Sequence, residues 1–182
     1  MTMEEIVKRE RLVTALRENG ISFLEGGDGA GAKSDRLSPS ELIGNLARHP
    51  DPRLRLSLTS LFLLHPDWAV HVPAVVATLD LRAAQELQAR YMAAVYLQRT
   101  WRTRLGFYLG DFETLPDLYS QALGLPPPDE RFGKTGLVAL AEWHASHSEY
   151  PFNRLASYHK AADLLFGQLI AEARQREFAA TG

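Results

Sequence analysis

The stretch "ARHPDPRLRL", residues 47–56, sets two prolines around an aspartate between two leucine-rich segments. Proline lacks the backbone N–H that a helix interior needs, so Pro50 ends the helix before it, while Pro52 sits harmlessly at the first position of the next. Asp51 between them offers a side-chain oxygen to cap the new helix. These ten residues predict a tight helix-to-helix corner. Upstream, "SPSE" places Ser38 at a second cap, Pro39 at the first helical position and Glu41 three residues after the cap, a capping box. That helix runs to about His49 and buries Leu42, Ile43 and Leu46. The helix beyond the corner carries Leu54, Leu58, Leu61 and Phe62 on one face, with Leu56, Leu63 and Leu64 on others. A helix apolar nearly all round belongs at the centre of a fold.

Working outward, "HPDWA" at 65–69 repeats the punctuation, and a short helix around Pro73 leads to Asp80. A long helix over about 81–109 follows, its residues Leu87, Tyr91, Ala94, Val95, Trp101, Leu105 and Tyr108 keeping the three-and-four spacing of one face. Gly110 ends it. A helix over about 115–123, a rigid loop "GLPPPDERFGKTG", and helices over about 135–147 and 153–178 complete the chain. Leu155, Tyr158, Ala162, Leu165, Leu169 and Ala173 form the stripe of the last one. At the other end a helix over about 3–19 stops at Gly20, and the glycine-rich "EGGDGAGAKSDRL" reads as a linker. No stretch alternates in the manner of a strand. The expected fold is all-α, a helical array or irregular bundle of about seven to eight helices. An N-terminal helix plus linker over 1–37 precedes a single α-helical domain over 38–182.

From the Asp-Pro corner to the pair Leu54-Arg55 opening the second helix, residues 40–80 resemble a HEAT repeat, whose second helix commonly begins with an aliphatic-arginine pair. That resemblance implies helices paired antiparallel and stacked side by side, an architecture used for binding other proteins.

The bulk numbers fit this. A chain of 182 residues with 46% hydrophobic and 23% charged residues belongs among ordinary globular proteins. One domain of that length buries roughly 70% of the surface of its unfolded chain. With no cysteine, disulfides and thiolate metal sites are excluded. The start, "MTMEEIVKRERL", has no apolar core of a secretory signal, and His65, Pro66, Asp67, His71 and Pro73 interrupt the most apolar region. A cytoplasmic chain with no membrane span is expected. The net charge of −2 divides unevenly: residues 81–110 carry five arginines against Glu86, and residues 111–150 carry seven acids against Arg131 and Lys134. Two such segments neutralise each other within a fold, so a nucleic-acid footprint is not expected.

Four motifs carry candidate chemistry. "ERFGKTG" ends like a phosphate-binding loop, but Pro128 stands where the first glycine is required and no strand precedes it, so nucleotide binding is excluded. Thr135 is expected to cap the following helix. "EWHASHSEY" sets His144 and His147 three residues apart, with Glu149 or His159 able to complete a metal site. Without a HExxH pattern, no metal or other cofactor is expected, and the histidines suit a helix C-terminus. "NRLASYHKAADLL" places Arg154 before His159 and resembles the arginine-x(4–6)-histidine motif of HEPN-family ribonucleases, small all-helical proteins found in toxin-antitoxin pairs. That resemblance implies RNA cleavage, with Arg154 stabilising the phosphate and His159 assisting proton transfer. "LQRTWRTRLGFYLG" interleaves Arg99, Arg102 and Arg104 with Trp101, Phe107 and Tyr108, the residue types that anchor protein interfaces. With no complete catalytic constellation, the leading expectation is a non-enzymatic interaction module that binds another protein through these six residues. The HEPN-like ribonuclease is the alternative.

Overall fold

The corner forms as its chemistry dictates. Helix α2 (Pro39–Arg48) ends at His49, and Asp51 caps α3 (Pro52–Leu64), accepting the Arg53 N–H at 2.8 Å. Ser38 and Glu41 close the reciprocal cap of α2. Arg55 then reaches back and donates to the carbonyls of His49 and Pro50 at 2.6 and 2.8 Å, holding the corner from its inner side.

The computed structural model describes residues 2–26, 36–150 and 152–181. Besides α2 and α3 these residues form α1 (Met3–Glu18), α4 (Val72–Thr78), α5 (Leu81–Thr100), α6 (Arg102–Leu109), α7 (Ser120–Leu123), α8 (Lys134–Ser146) and α9 (Arg154–Ala180). Two 3₁₀ segments, Pro66–His71 and Glu130–Gly133, precede α4 and α8. The fold of the described residues is all-α, with no strand. Residues 27–35, most of the expected linker, lie outside the described part. Helix α1 shares the core of the other helices through Leu12, Val13 and Leu16, and Arg9 pairs with Asp51 of the corner at 3.3 Å.

Helix α3 is central, packing on α2, α5 and α9, while α5 also packs on α8. Leu54, Leu58, Leu61 and Phe62 are wholly buried, and Phe62 meets Tyr91 of α5 edge-on at 5.2 Å. Ser57, Thr59 and Ser60 of α3 are buried too, and each is satisfied. Ser57 donates to Leu54 O at 2.6 Å, Thr59 to Arg90 O at 3.2 Å and Ser60 to Ala161 O at 3.0 Å. The last two bonds join α3 to α5 and to α9.

Two elements differ from the sequence expectation. The long helix breaks at Trp101 (φ −109, ψ 20) into α5 and α6. Thr100 sits at the break with its hydroxyl 2.8 Å from Phe132 O and 3.0 Å from Tyr96 O, a side chain competing for backbone partners. The helix expected over 115–123 shrinks to α7. Gln98 of α5 captures the preceding chain, accepting from Leu115 N at 2.8 Å and donating to Glu113 O at 2.9 Å, and Tyr91 donates to Pro116 O at 2.6 Å. Backbone groups bonded to α5 side chains cannot also close helical turns.

Thr135 does not cap α8. Gly133 occupies the cap position, and the Thr135 hydroxyl is buried without a partner. Helix α8 is seated on α5 through glycine. A Cβ on Gly136 would fall inside the ring of Tyr96, and one on Gly133 would fall on the Tyr96 carbonyl. Alanine for an interior helix glycine ordinarily stabilises by about 1 kcal/mol. We expect the opposite sign for Gly136→Ala, a loss of about 1–3 kcal/mol from overpacking. Gly167→Ala on α9, where no atom lies within 4 Å, keeps the ordinary sign. Urea midpoints of the two variants check the pair.

Candidate functional site

The six residues of the basic-aromatic stretch fall at the end of α5 and along α6, and the fold uses them unequally. Trp101 packs edge-on against Phe166 of α9 at 5.9 Å, and Arg104 lies over the same Phe166 ring at 4.0 Å. Tyr108 is half-buried, 6.4 Å from Phe166 and 4.9 Å from Phe107. Arg99 donates to Leu115 O at 2.8 Å and lies 3.5 Å from the carboxylate of Asp129. Arg102 and Phe107 remain exposed, Phe107 at 81%. Thus Trp101, Arg104 and Tyr108 fasten α6 to α9, and Arg99, Arg102 and Phe107 face outward or into a cleft. Two of the five arginines pair with the acidic segment, Arg99 with Asp129 and Arg82 with Glu149 at 2.9 Å, while Arg90 pairs with Glu86 of its own helix.

That cleft, about 390 Å³, is lined by Arg99, Thr100, Arg102, Thr103, Asp129 and Phe132. Its far wall is a strained turn. Arg131 (φ 47, ψ 41), Phe132 (φ 57, ψ 41) and Gly133 (φ 81, ψ −8) are three consecutive left-handed residues. For a non-glycine residue this conformation costs roughly 1–2 kcal/mol. It persists because Gly133 is wedged against the Tyr96 backbone, Thr100 holds Phe132 O, and Tyr96 donates to Pro126 O at 2.8 Å. The result is a Phe132 side chain 75% exposed beside two arginines.

A second constellation lies inside. Glu86 of α5 accepts from Arg90 Nε at 2.8 Å through one carboxylate oxygen and pairs with His144 Nε2 of α8 at 2.8 Å through the other. Arg55 of α3 lies 3.5 Å from the first oxygen. His144 Nδ1 is 2.7 Å from the hydroxyl of Tyr158 on α9, and Arg90 donates to Ser157 Oγ at 3.1 Å. Arg90, His144 and Tyr158 are almost entirely buried. One assignment satisfies every atom: a neutral His144 donating from Nε2 to Glu86 and accepting from the Tyr158 hydroxyl at Nδ1. Burial holds His144 below its usual value against the pull of Glu86. Burial alone raises the Glu86 carboxyl, but the His144 hydrogen bond and the Arg90 guanidinium outweigh it and keep it well below the usual range. Burial also pushes the Tyr158 phenol up. The chain of bonds ends inside at Tyr158, which is wholly buried. It locks α5, α8 and α9 together.

The remaining sequence candidates are placed apart. His144 has both ring nitrogens engaged within the protein, while His147 is exposed, stacked on Trp143 at 4.3 Å and bonded to Trp143 O at 2.7 Å. No group of three potential metal ligands occurs among the described residues. Arg154 and His159 stand five residues apart on α9, which turns them about 140° from one another. Burial lowers the Arg154 guanidinium from its usual value, with the Glu86 carboxylate opposing it. No single helix among the described residues is long and apolar enough to cross a membrane. Comparison with protein-family models, with curated proteins and with solved structures returned no match to this chain.

From the sequence, Tyr158 is a stripe residue of the last helix, 131–133 part of a loop and Glu86 one charge in a balance, and none of them carries a role at a site. Glu86 and Arg90 form a charged pair four residues apart amid apolar positions of α5, and that was the one legible signal.

Both folded-state shifts at Glu86 and His144 run downward, so on acidification the unfolded chain takes up protons first. Stability held above pH 6.5 is lost as pH falls below that value through His144, with His49 contributing the same sign, and further below pH 4.5 through Glu86. Chemical-denaturation midpoints measured from pH 8 to pH 4 follow this. His144→Gln should flatten the upper part of the profile and spare the lower. Glu86→Gln should lose about 3–5 kcal/mol at pH 7, because it strands the buried Arg90 without its counter-charge.

Proposed function

We propose that the protein is an interaction module whose partner docks on the end of α5, on α6 and on the 131–133 turn. The observation that carries this reading is Phe132. A large apolar ring is held in solvent by two left-handed non-glycine residues, and strain concentrated at an exposed site is characteristic of binding surfaces. Arg99 and Arg102 line the adjoining cleft and Phe107 extends the apolar area. Aromatic rings beside arginine are the side chains that contribute most at protein interfaces. The complementary partner is a protein segment that places an apolar side chain against Phe132 and Phe107 and a carboxylate near Arg102. In the same proposal α2 and α3 pack as a HEAT-like hairpin, and the module acts in the cytoplasm without catalysis.

Cross-linking capture from the native cell extract tests this with three variants. Phe132→Ser and Arg102→Glu should each lose at least about tenfold of the captured partner, the loss of a central interface residue. Arg176→Glu, on the exposed last turns of α9, should capture as the wild type does. Equal capture by all variants removes the proposal. If the retained species is RNA, the docking class is wrong, and an RNA cleavage assay on His159→Ala becomes the decisive measurement.

A further inference from the structure

The cleft beside the 131–133 turn contains a guanidinium that is held in place and only partly used. Arg99 donates from one terminal nitrogen, Nη1, to Leu115 O at 2.8 Å, and more weakly to Gln98 Oε1 and Val95 O at 3.3 and 3.4 Å. Those bonds fix the plane of the group. Its Nε and Nη2 form no hydrogen bond among the described residues, and neither belongs to the polar atoms buried without a partner, so both meet solvent. Asp129 stands 3.5 Å from Nε with its side chain 90% exposed, an ion pair without a hydrogen bond. Nε and Nη2 are the edge through which arginine grips a carboxylate with two parallel bonds. Asp129 leaves that edge unfilled.

The shape of the cleft narrows what can fill it. The Arg99 side chain is 14% exposed, whereas Phe132 is 75% exposed and Arg102 and Thr103 are exposed too. The guanidinium is thus recessed behind the other lining residues. At about 390 Å³ the cleft lies near the small end of ligand sites, roughly 300–1,000 Å³, with room for a residue or two and none for a helix. An aspartate or glutamate within a chain carries backbone away in two directions, and both must clear Phe132 and Arg102. A terminal carboxylate carries it away in one. It also sets the last side chain beside the carboxylate, where Phe132 offers an apolar ring next to Arg99.

We propose that the cleft takes the C-terminal carboxylate of the partner chain, gripped by Nε and Nη2 of Arg99, with an apolar last side chain lying on Phe132. This rests on the docking surface proposed above and names the part of the partner that enters it. Arg102, on the same cleft, adds a second positive charge. The incoming carboxylate displaces Asp129 from Arg99, an exchange that costs little because the Asp129 carboxylate is already solvated.

The test uses the full chain and two N-acetylated tripeptides: Gly-Ala-Phe with a free C-terminus, and the same peptide ending in an amide. Titrations followed through the arginine Nε–H resonances give each Kd. The acid should bind at least about tenfold tighter than the amide, the difference made by a charge-assisted contact. The Arg99 resonance should move while that of Arg176, far out on α9, stays. Asp129→Asn, a change to an exposed side chain, should tighten the acid about threefold, the size of an exposed ion pair, and leave the amide as it was. Arg99→Lys keeps the charge without the paired edge and should weaken the acid about tenfold. If that variant misfolds through loss of its bond to Leu115, the wild-type and Asp129→Asn titrations decide by themselves. Equal binding of acid and amide overturns the proposal, as does no saturable binding of the acid or a shift at Arg176 without one at Arg99. N-acetylphenylalanine binding as tightly as the tripeptide acid also overturns it, because the cleft then serves a small free acid. If Phe132→Ser and Arg102→Glu lose the captured partner while acid and amide bind alike, the docking surface stands and the chain-end assignment alone fails. If capture is equal across all variants, the docking reading fails whatever the peptides do.

Discussion

One carboxylate organises the middle of this molecule. Glu86 projects from α5 between α3 and α8, and within 3.5 Å it meets Arg55 of α3, Arg90 of its own helix and His144 of α8, which passes the contact to Tyr158 of α9. Apolar packing alone would let four helices slide or rotate with little change in buried area, since greasy surfaces are not directional. Hydrogen bonds to a buried carboxylate are directional, and an unmade one is costly. The four helices consequently share one mutual setting in which each donor faces its acceptor. The small polar residues Thr59 and Ser60 extend the arrangement by tying α3 to carbonyls on α5 and α9.

That rigid centre is what allows strain at the edge. Helix α8 lies against α5 so closely that glycine is required at two positions, 133 and 136. The chain entering α8 must therefore pass directly over Tyr96, and Arg131 and Phe132 are left-handed where it does so. A looser α5–α8 contact would let the turn relax into ordinary dihedrals and fold Phe132 onto the surface. The exposed aromatic ring is thus a consequence of the core packing beside it, and the proposed docking surface inherits its shape from Tyr96, Thr100 and the glycines beneath it.

The corner at 49–52 shows how local chemistry and tertiary structure meet in one residue. Proline and aspartate decide that the chain turns there, and any protein with that decapeptide would turn in much the same way. Arg55 has two roles that the corner alone does not reveal. It binds the corner carbonyls of His49 and Pro50 and also reaches Glu86. Its second role depends on α5 lying across α3.

Helix existence, the capped and proline-marked corners, the central place of α3 and the absence of strands among the described residues were determined by the sequence, because each rests on interactions spanning four residues or fewer, or on periodicity along one helix. The break at Trp101, the shrinking of the helix near 115–123 and the union of Glu86, His144 and Tyr158 were decided only by the tertiary structure. Each joins groups far apart in the chain, as Gln98 does with Leu115 and Thr100 with Phe132. Such contacts compete with the backbone's own hydrogen bonds. The outcome depends on which helices come to lie side by side, a property of the packed core as a whole and of no single segment within it.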